Sequence, residues 1–357
     1  MSSKLRPLYD GIYMGIDVGL LAINAARGMR KRARGAEPAP GLDAEYKTSI
    51  RPYWRQFRVG VPKKYWFRFW GGDPRFIPGN LWYRRIVPHF NTVLFAQALQ
   101  DKCMHNVYVP EIRRPVTVVK NVAGHFCADD LSPLTEEDAI ARCHDRGRVL
   151  IKPSVGSGEG HNIRFFDTDS VTDEELRSLF RQYKRNFIVQ EKLAQHPVLA
   201  ALNPSSLNTI RIMTFLFRGE VHILSAILRV GGGKSEVDNF AQGGFQLTIL
   251  PDGRLDPHPA SNGMAHMTAE EKAELVRRFE NVQIPSFDRV IAAVRDAALK
   301  MPHFAILGWD IGVDPEGEPT LIEYNVIPGQ NQGTCGPTFG ELTDAVLEDV
   351  FGRRTRS

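Results

Sequence analysis

The chain has 357 residues, 43% hydrophobic and 24% charged, with a net charge of +4. That is the balance of an ordinary soluble globular protein, long enough for two or three lobes. Its four cysteines, Cys103, Cys127, Cys143 and Cys335, lie far apart without a C-x-x-C pair, which argues against a disulfide framework and a zinc site and suits a reducing compartment.

The charge is uneven. Residues 1–70 hold 14 Lys/Arg against 5 Asp/Glu, leaving 31 against 36 for the rest of the chain. No window reaches the roughly 18 apolar residues of a membrane span. The closest stretch, "GIYMGIDVGLLAINAARGMRKRARG", is interrupted by Asp17 and Asn24 and lacks the cleavage site of a signal peptide. Within it Ile12, Ile16, Leu20 and Ile23 share one helical face, followed by Arg27, Arg30, Lys31, Arg32 and Arg34. The bland reading is a docking helix with a solvated basic end. The sharper one is an interfacial helix resting on anionic lipid, in a cytoplasmic protein peripheral to the inner face of the membrane. Nucleic acid is not expected, since no stacking platform is interleaved with the basic run.

"RGAEPAPG" (34–41) reads as a loop, and residues 51–90 are aromatic and basic, with their rings expected to pack against a neighbouring lobe. A helix is expected over 91–104, capped by Asn91. Strands follow in "RRPVTVVKNV" and "GRVLIKPSVGSGEGHNIRFFD", then a helix in "TDEELRSLFRQY" and a strand in "NFIVQEKL". Three more strands read in "NTIRIMTFLF", "VHILSAILRVG" and "FQLTILPDGRL". A helical stretch over 268–301, a hairpin over 306–329 and a C-terminal helix complete the chain. This mixture indicates an α+β protein with antiparallel sheets.

Three patterns carry chemistry. In the hairpin, "GWDIGV" and "TLIEYNV" flank the turn "DPEGEP", whose centre lies between Glu316 and Gly317. Asp310 and Glu323 are equidistant from that centre and should face each other, with Asn325 on the same side. Facing acids are destabilising unless a cation sits between them, and three oxygen ligands suit Mg²⁺ shared with phosphates. The plain alternative is an exposed edge with solvated acids, but the flanking Ile306, Leu307, Trp309, Ile311, Leu321 and Ile322 read as core.

The second pattern places Gly156, Gly158 and Gly160 between two strands, where free φ lets successive N–H groups converge on an anion. It is neither a Walker A loop nor a dinucleotide fingerprint; it reads as a flap, or as a plain mobile hairpin. Ser154 and Ser157 belong to the same candidate loop, and Lys152 would meet phosphates as a point charge. After it, the strand end Gln190, Glu191, Lys192 and Leu193 offers free backbone groups to a base. The third pattern is polar residues in strand sequence: Ser206, Asn208, Arg211, Arg229, Asp238, Asn239 and Gly244 read as a cleft floor or as solvent-facing positions. Arg211 and Arg229 would neutralise a transferring phosphate.

Together, "DPRFIPGNLWYRRIVPHFN", "DK" (101–102), "IKPSVGSGEG", "VQEKLAQHP", "NPSSLNTIRIMT", "LRVGGGKSEVDNFAQGG", "GWDIGV" and "LIEYNV" resemble the sugar-transfer associated family of the ATP-grasp superfamily. The resemblance implies ATP clasped by two α+β lobes, Mg²⁺ on Asp310, Glu323 and Asn325, and phosphate contacts from Lys102 and Lys152. It also implies adenine at Gln190–Leu193, and carboxylate activation to an acyl-phosphate that an amine attacks. Lobes are expected over 91–187 and 188–357, after a helical region over 1–90. A kinase on the same scaffold, or a non-catalytic nucleotide-binding partner of glycan assembly, are the alternatives. The flap departs from its relatives by carrying Glu159 and His161 where Lys or Arg is common, and residues 1–90 lack βαβ spacing.

Overall fold

In a computed structural model, the structure describes residues 41–61, 72–156, 162–232, 244–261 and 267–353, together with Leu21, Ile23, Asn24 and Arg27. The proposed lipid-facing helix and its basic end lie almost wholly outside these. Among the described residues no helix is long and apolar enough to cross a membrane. The chain divides into two compact units. One gathers 1–94, 303–306 and 327–357; the other holds 95–302 and 307–326.

In the first unit the described part of the aromatic stretch packs with the C-terminal segment. Trp54, Phe57 and Trp82 are fully buried. Trp82 donates its indole N–H to the Pro328 carbonyl at 2.8 Å and lies 5.9 Å from the Phe339 ring. Tyr53 donates to Asp344 at 2.6 Å, and Gln332 bonds both the N–H and the carbonyl of Ile77. Asn91 begins no helix; it is the C-terminal cap of the helix Val87–Phe90, its N–H donating to the Val87 carbonyl. It forms a bridge to Phe304 while its side chain accepts from Ile306 N–H at 2.9 Å and donates to Ile306 O at 2.7 Å. The expected helix over 91–104 is broken into short turns, Val93–Phe95, Ala96–Leu99 and Lys102–Met104, the last begun by the Asp101 carboxylate.

The second unit holds two five-stranded sheets. Strands β1 (Thr117–Val122), β2 (His125–Cys127), β3 (Arg148–Pro153), β4 (Arg164–Asp167) and β5 (Phe187–Glu191) form the first, in the order β2-β1-β5-β3-β4. The expected lobe boundary at 187/188 therefore falls inside β5, the middle strand. Helices α1 (Glu136–Cys143) and α2 (Asp173–Tyr183) begin with capping boxes at Thr135 and Thr172. Their apolar stripes, Ala139, Ile140 and Cys143 with Leu176, Leu179 and Phe180, cover one sheet face: Val119, Val149, Ile151, Phe187 and Val189.

Period two sends the alternate residues the other way. Lys152, Ile188 and Lys120 stand in one row across β3, β5 and β1. Phe165, Leu150, Gln190 and Thr117 form the next, reaching β4. One face is core; the other is polar and aromatic.

After the short helix α3 (Pro197–Leu202), the second sheet takes β6 (Thr209–Phe217), β7 (Glu220–Val230), β8 (Phe245–Thr248), β9 (Ile306–Val313) and β10 (Pro319–Asn325), ordered β10-β9-β6-β7-β8. Between β8 and β9 lie α4 (Ala269–Phe279) and α5 (Phe287–Leu299), whose Val290 and Val294 are buried. The C-terminal helix α6 (Thr343–Phe351) groups with the first unit, whereas the expected lobe placed it with 188–357.

Candidate functional site

Every residue of β9 is buried, which explains how an acid within it comes to be enclosed. Near the turn the hairpin pairs Val313 with Pro319, Gly312 with Thr320 and Ile311 with Leu321. That register centres the turn on Glu316 and, continued, would set Asp310 against Ile322. A bulge between Leu321 and Glu323 takes up Ile322 as an extra residue, so Asp310 faces Glu323 and Gly308 faces Asn325. The equidistance argument reaches the observed pair because the bulge offsets a turn centre half a residue away from the assumed one.

Both acids meet protein cations. Asp310, 3% exposed, lies 2.7 Å from Arg211 Nε and 3.4 Å from Arg229 Nη1. Glu323 lies 3.2 Å from Lys102 Nζ, and Asn325 Nδ2 approaches Glu323 Oε1 at 3.5 Å. Burial works against ionisation of Glu323, yet Lys102, Arg211 and Lys152 outweigh it and hold its carboxyl down at about 2. At Asp310 burial wins over the two arginines, with Glu323 adding repulsion, and the carboxyl is raised. Arg211 is likewise depressed by burial and by Arg229.

Strand register places the two arginines on one face of the sheet, in adjacent rows. Arg229 opposes Thr209 on β6 and Gln246 on β8, and Arg211 opposes Ile227, so both guanidinium groups share a face. Acids on β10 and β9 thus adjoin arginines on β6 and β7.

Across the same unit, Lys102 N–H donates to the Ser154 carbonyl at 2.9 Å, which ties the "DK" turn to the end of β3. Lys152 is buried, and that burial, with Lys102 nearby, brings its ammonium down to about 8. Ser154 is buried too, beside the Cys103 thiol. Gly156 adopts φ +63°, a left-handed conformation that favours glycine. Ser157, Gly158 and Gly160 lie outside the described residues, as do Asp238 and Asn239.

Two expectations change. The N–H groups of Glu191 and Lys192 are not open to a base: they donate to Val116 O at 2.9 Å and Arg148 O at 3.0 Å. Because β5 is central, both its flanks are already paired. Ser206 and Asn208 are also engaged internally. Asn208 donates to the Leu199 and Asn203 carbonyls at 2.8 and 3.0 Å, and Ser206 donates to Asn208 Oδ1 at 3.2 Å. They hold the chain around α3, on the opposite side of the strand from Arg211. Gly244 is buried just before β8.

The structure adds residues that the sequence patterns passed over. Phe165 stands on the polar face of the first sheet, with Lys192 Nζ 5.5 Å and Arg148 Cζ 5.9 Å from its ring centre. Lys120 is a lone lysine in an apolar strand, 1% exposed, and period two would have put it beside Lys152. Gln246 joins the row of Arg229. Among the described residues no three His, Cys, Asp or Glu side chains cluster to hold a metal. The fit of Asp310, Glu323 and Asn325 to Mg²⁺ rests on hard oxygen donors on one face, with water or phosphate needed to complete the shell.

A family described as sugar-transfer associated ATP-grasp matches residues 84–333. No curated protein matches. Among solved structures, the L-amino acid ligase of Bacillus licheniformis is 15% identical over 72% of this chain and 48% of its own, with TM-score 0.38. D-alanyl-alanine synthetase A of Vibrio cholerae is 12% identical over 71% of this chain and 64% of its own, with TM-score 0.41. The chain spans about half the length of the first of these.

Proposed function

Because the chain belongs to the sugar-transfer associated ATP-grasp family, we propose that it is an ATP- and Mg²⁺-dependent ligase that joins a carboxylate to an amine through an acyl-phosphate. The observation that carries this reading is the cluster of Glu323, Asp310, Arg211 and Arg229, two acids beside two guanidinium groups, in the same unit as Lys102 and Lys152. A bound Mg²⁺ on Asp310, Glu323 and Asn325 would supply charge neutralisation for the terminal phosphates. The chain's own side chains do the rest. Lys152 on β3 and Lys102 on the adjoining turn bind the phosphates, and Phe165 offers a flat face to the base.

In the first step a substrate carboxylate oxygen attacks the γ-phosphorus and the bond to the ADP oxygen breaks. In the second the amine attacks the acyl carbon, inorganic phosphate leaves, and the amine releases a proton. Arg211 and Arg229 neutralise the oxygens of the phosphoryl group in transit, a task suited to planar forks. No nucleophilic triad is needed, since such transfer depends on positioning and charge.

With a pool of carboxylates and hydroxylamine in place of the amine, the protein is expected to release ADP and form an acyl-hydroxamate in equal amounts. ADP release with a stable phosphorylated hydroxyl product, and no hydroxamate, would establish a kinase instead. Nucleotide binding without turnover across the pool would leave a binding partner and sink both enzymes.

Nucleotide affinity should also depend on Lys152. Its ammonium loses the proton near pH 8, so phosphate binding is expected to weaken above that pH, by about tenfold per unit at most, and to stay level below it. Calorimetric titration of an ATP analogue from pH 7 to 9.5 measures this, and Lys152→Gln should flatten the profile. An unchanged slope in that variant would assign the titration elsewhere.

A further inference from the structure

A small polar cavity adjoins Lys102, one of the two proposed phosphate lysines. Its lining includes Lys102, His105, Asn106, Arg114, Lys120 and Asp129, backed by the bulge residues of β10. Its volume of about 10 Å³ suits one water-sized or monatomic occupant.

The charges around it do not balance. Lys102 is matched by Glu323 at 3.2 Å and Lys120 by Asp129 at 3.1 Å. Lys120 is further saturated by Asn106 Oδ1 at 2.9 Å and the Asp129 carbonyl at 2.6 Å. Arg114 has no carboxylate within ion-pair distance among the described residues; its Nη1 donates only to the Val109 and Ile112 carbonyls. Neighbouring acids are engaged elsewhere: Glu111 with Lys300, and Asp314 with Arg113 at 3.4 Å. One positive charge remains.

His105 supplies the independent observation. It is 3% exposed, stacks on the Tyr324 ring at 4.6 Å, and its Nε2 has no hydrogen-bond partner. A buried polar nitrogen without a partner costs stability unless something fills the space beside it. Burial, with Lys102 and Lys152 near, depresses its imidazolium to about 3, so the ring is neutral and carries one N–H to donate.

We propose that this cavity binds a single monovalent anion of the chloride class, held by the Arg114 guanidinium and by the Nε2–H of His105. The anion completes the pairing of Arg114 and satisfies the orphan nitrogen at once, where a water would answer only the second. It is a structural ligand, present without nucleotide, and it sits beside the lysine that holds Glu323.

Crystals of the full chain grown from sodium bromide, without nucleotide, test this directly. An anomalous peak in the cavity, at hydrogen-bond distance from both His105 Nε2 and Arg114, is the expected result. Its absence overturns the proposal. In solution, replacing gluconate by chloride at fixed ionic strength should raise the melting temperature by about 2–4 °C. The rise should disappear in Arg114→Met. Chloride stabilisation that persists in that variant, or a bromide peak with no stabilisation of the wild-type protein, would also overturn it. Should Arg114→Met fail to fold, the wild-type bromide map decides.

Discussion

Glu323→Gln is expected to lower ATP turnover by at least about 10²–10³-fold while leaving the fold intact. The carboxylate stands on one face with Asp310 and 3.2 Å from Lys102, so one atom change removes a ligand charge and unbalances a lysine together. The amide keeps the size and the hydrogen-bonding ability of the side chain, so packing of the partly buried position should survive. Because the carboxyl is held at about 2, wild-type turnover should show no titration from this group at neutral or mildly acidic pH. The linkage sign follows from a folded value below the unfolded one. Stability from this group is complete above about 4.5 and is lost as pH falls through about 2. Glu323→Gln should therefore lose less stability than the wild type over that acid window. Steady-state ADP release and acid unfolding measure the two effects, and near-wild-type turnover would remove Glu323 from the site.

Arg211→Met should cost about 3–5 kcal/mol of unfolding free energy, the usual consequence of taking one partner from a buried pair. Asp310 is enclosed, and Arg211 is its nearest cation at 2.7 Å; Arg229, at 3.4 Å and more exposed, is the weaker substitute. Methionine fills similar volume, so little of the loss comes from a cavity. The proposed metal position gives the experiment a second arm. If a cation belongs beside Asp310, added Mg²⁺ should recover more stability in Arg211→Met than in the wild-type protein, because the ion takes over part of the missing charge. Urea unfolding with and without Mg²⁺ reads this. Equal shifts in both proteins would show that Asp310 is an ion-pair residue alone.

Local pattern carried much of the architecture. The segments holding "RVLIKP", "FIVQE" and "TIRIMTFLF" read as strands, and "TDEELRSLFRQY" and the stretch from 268 as helices, because such readings depend on residues close in the chain. Asn91 shows where local reading stops. It resembles a cap that starts a helix, but its amide is matched to the backbone of Ile306, 215 residues away. Asn208 and Ser206 look like cleft residues in sequence, yet they hold the chain around α3. Polarity in a strand says that a partner exists without saying whether it is substrate or backbone.

By itself the sequence determined the family, the alternating strands and the identity of the acids, since these are properties of residue order. Only the tertiary structure decided what those acids meet. A bulge at Ile322 sets Glu323 against Asp310, and Arg211, Arg229 and Lys102 arrive from three other segments to oppose the two charges. The central place of β5 closed the backbone groups of Glu191 and Lys192, and period two brought Lys120 and Phe165 to the face of Lys152 and Gln190. The physical reason is range: propensity and alternation act over a few residues, whereas burial, charge pairing and strand order depend on segments that meet only when the chain has folded.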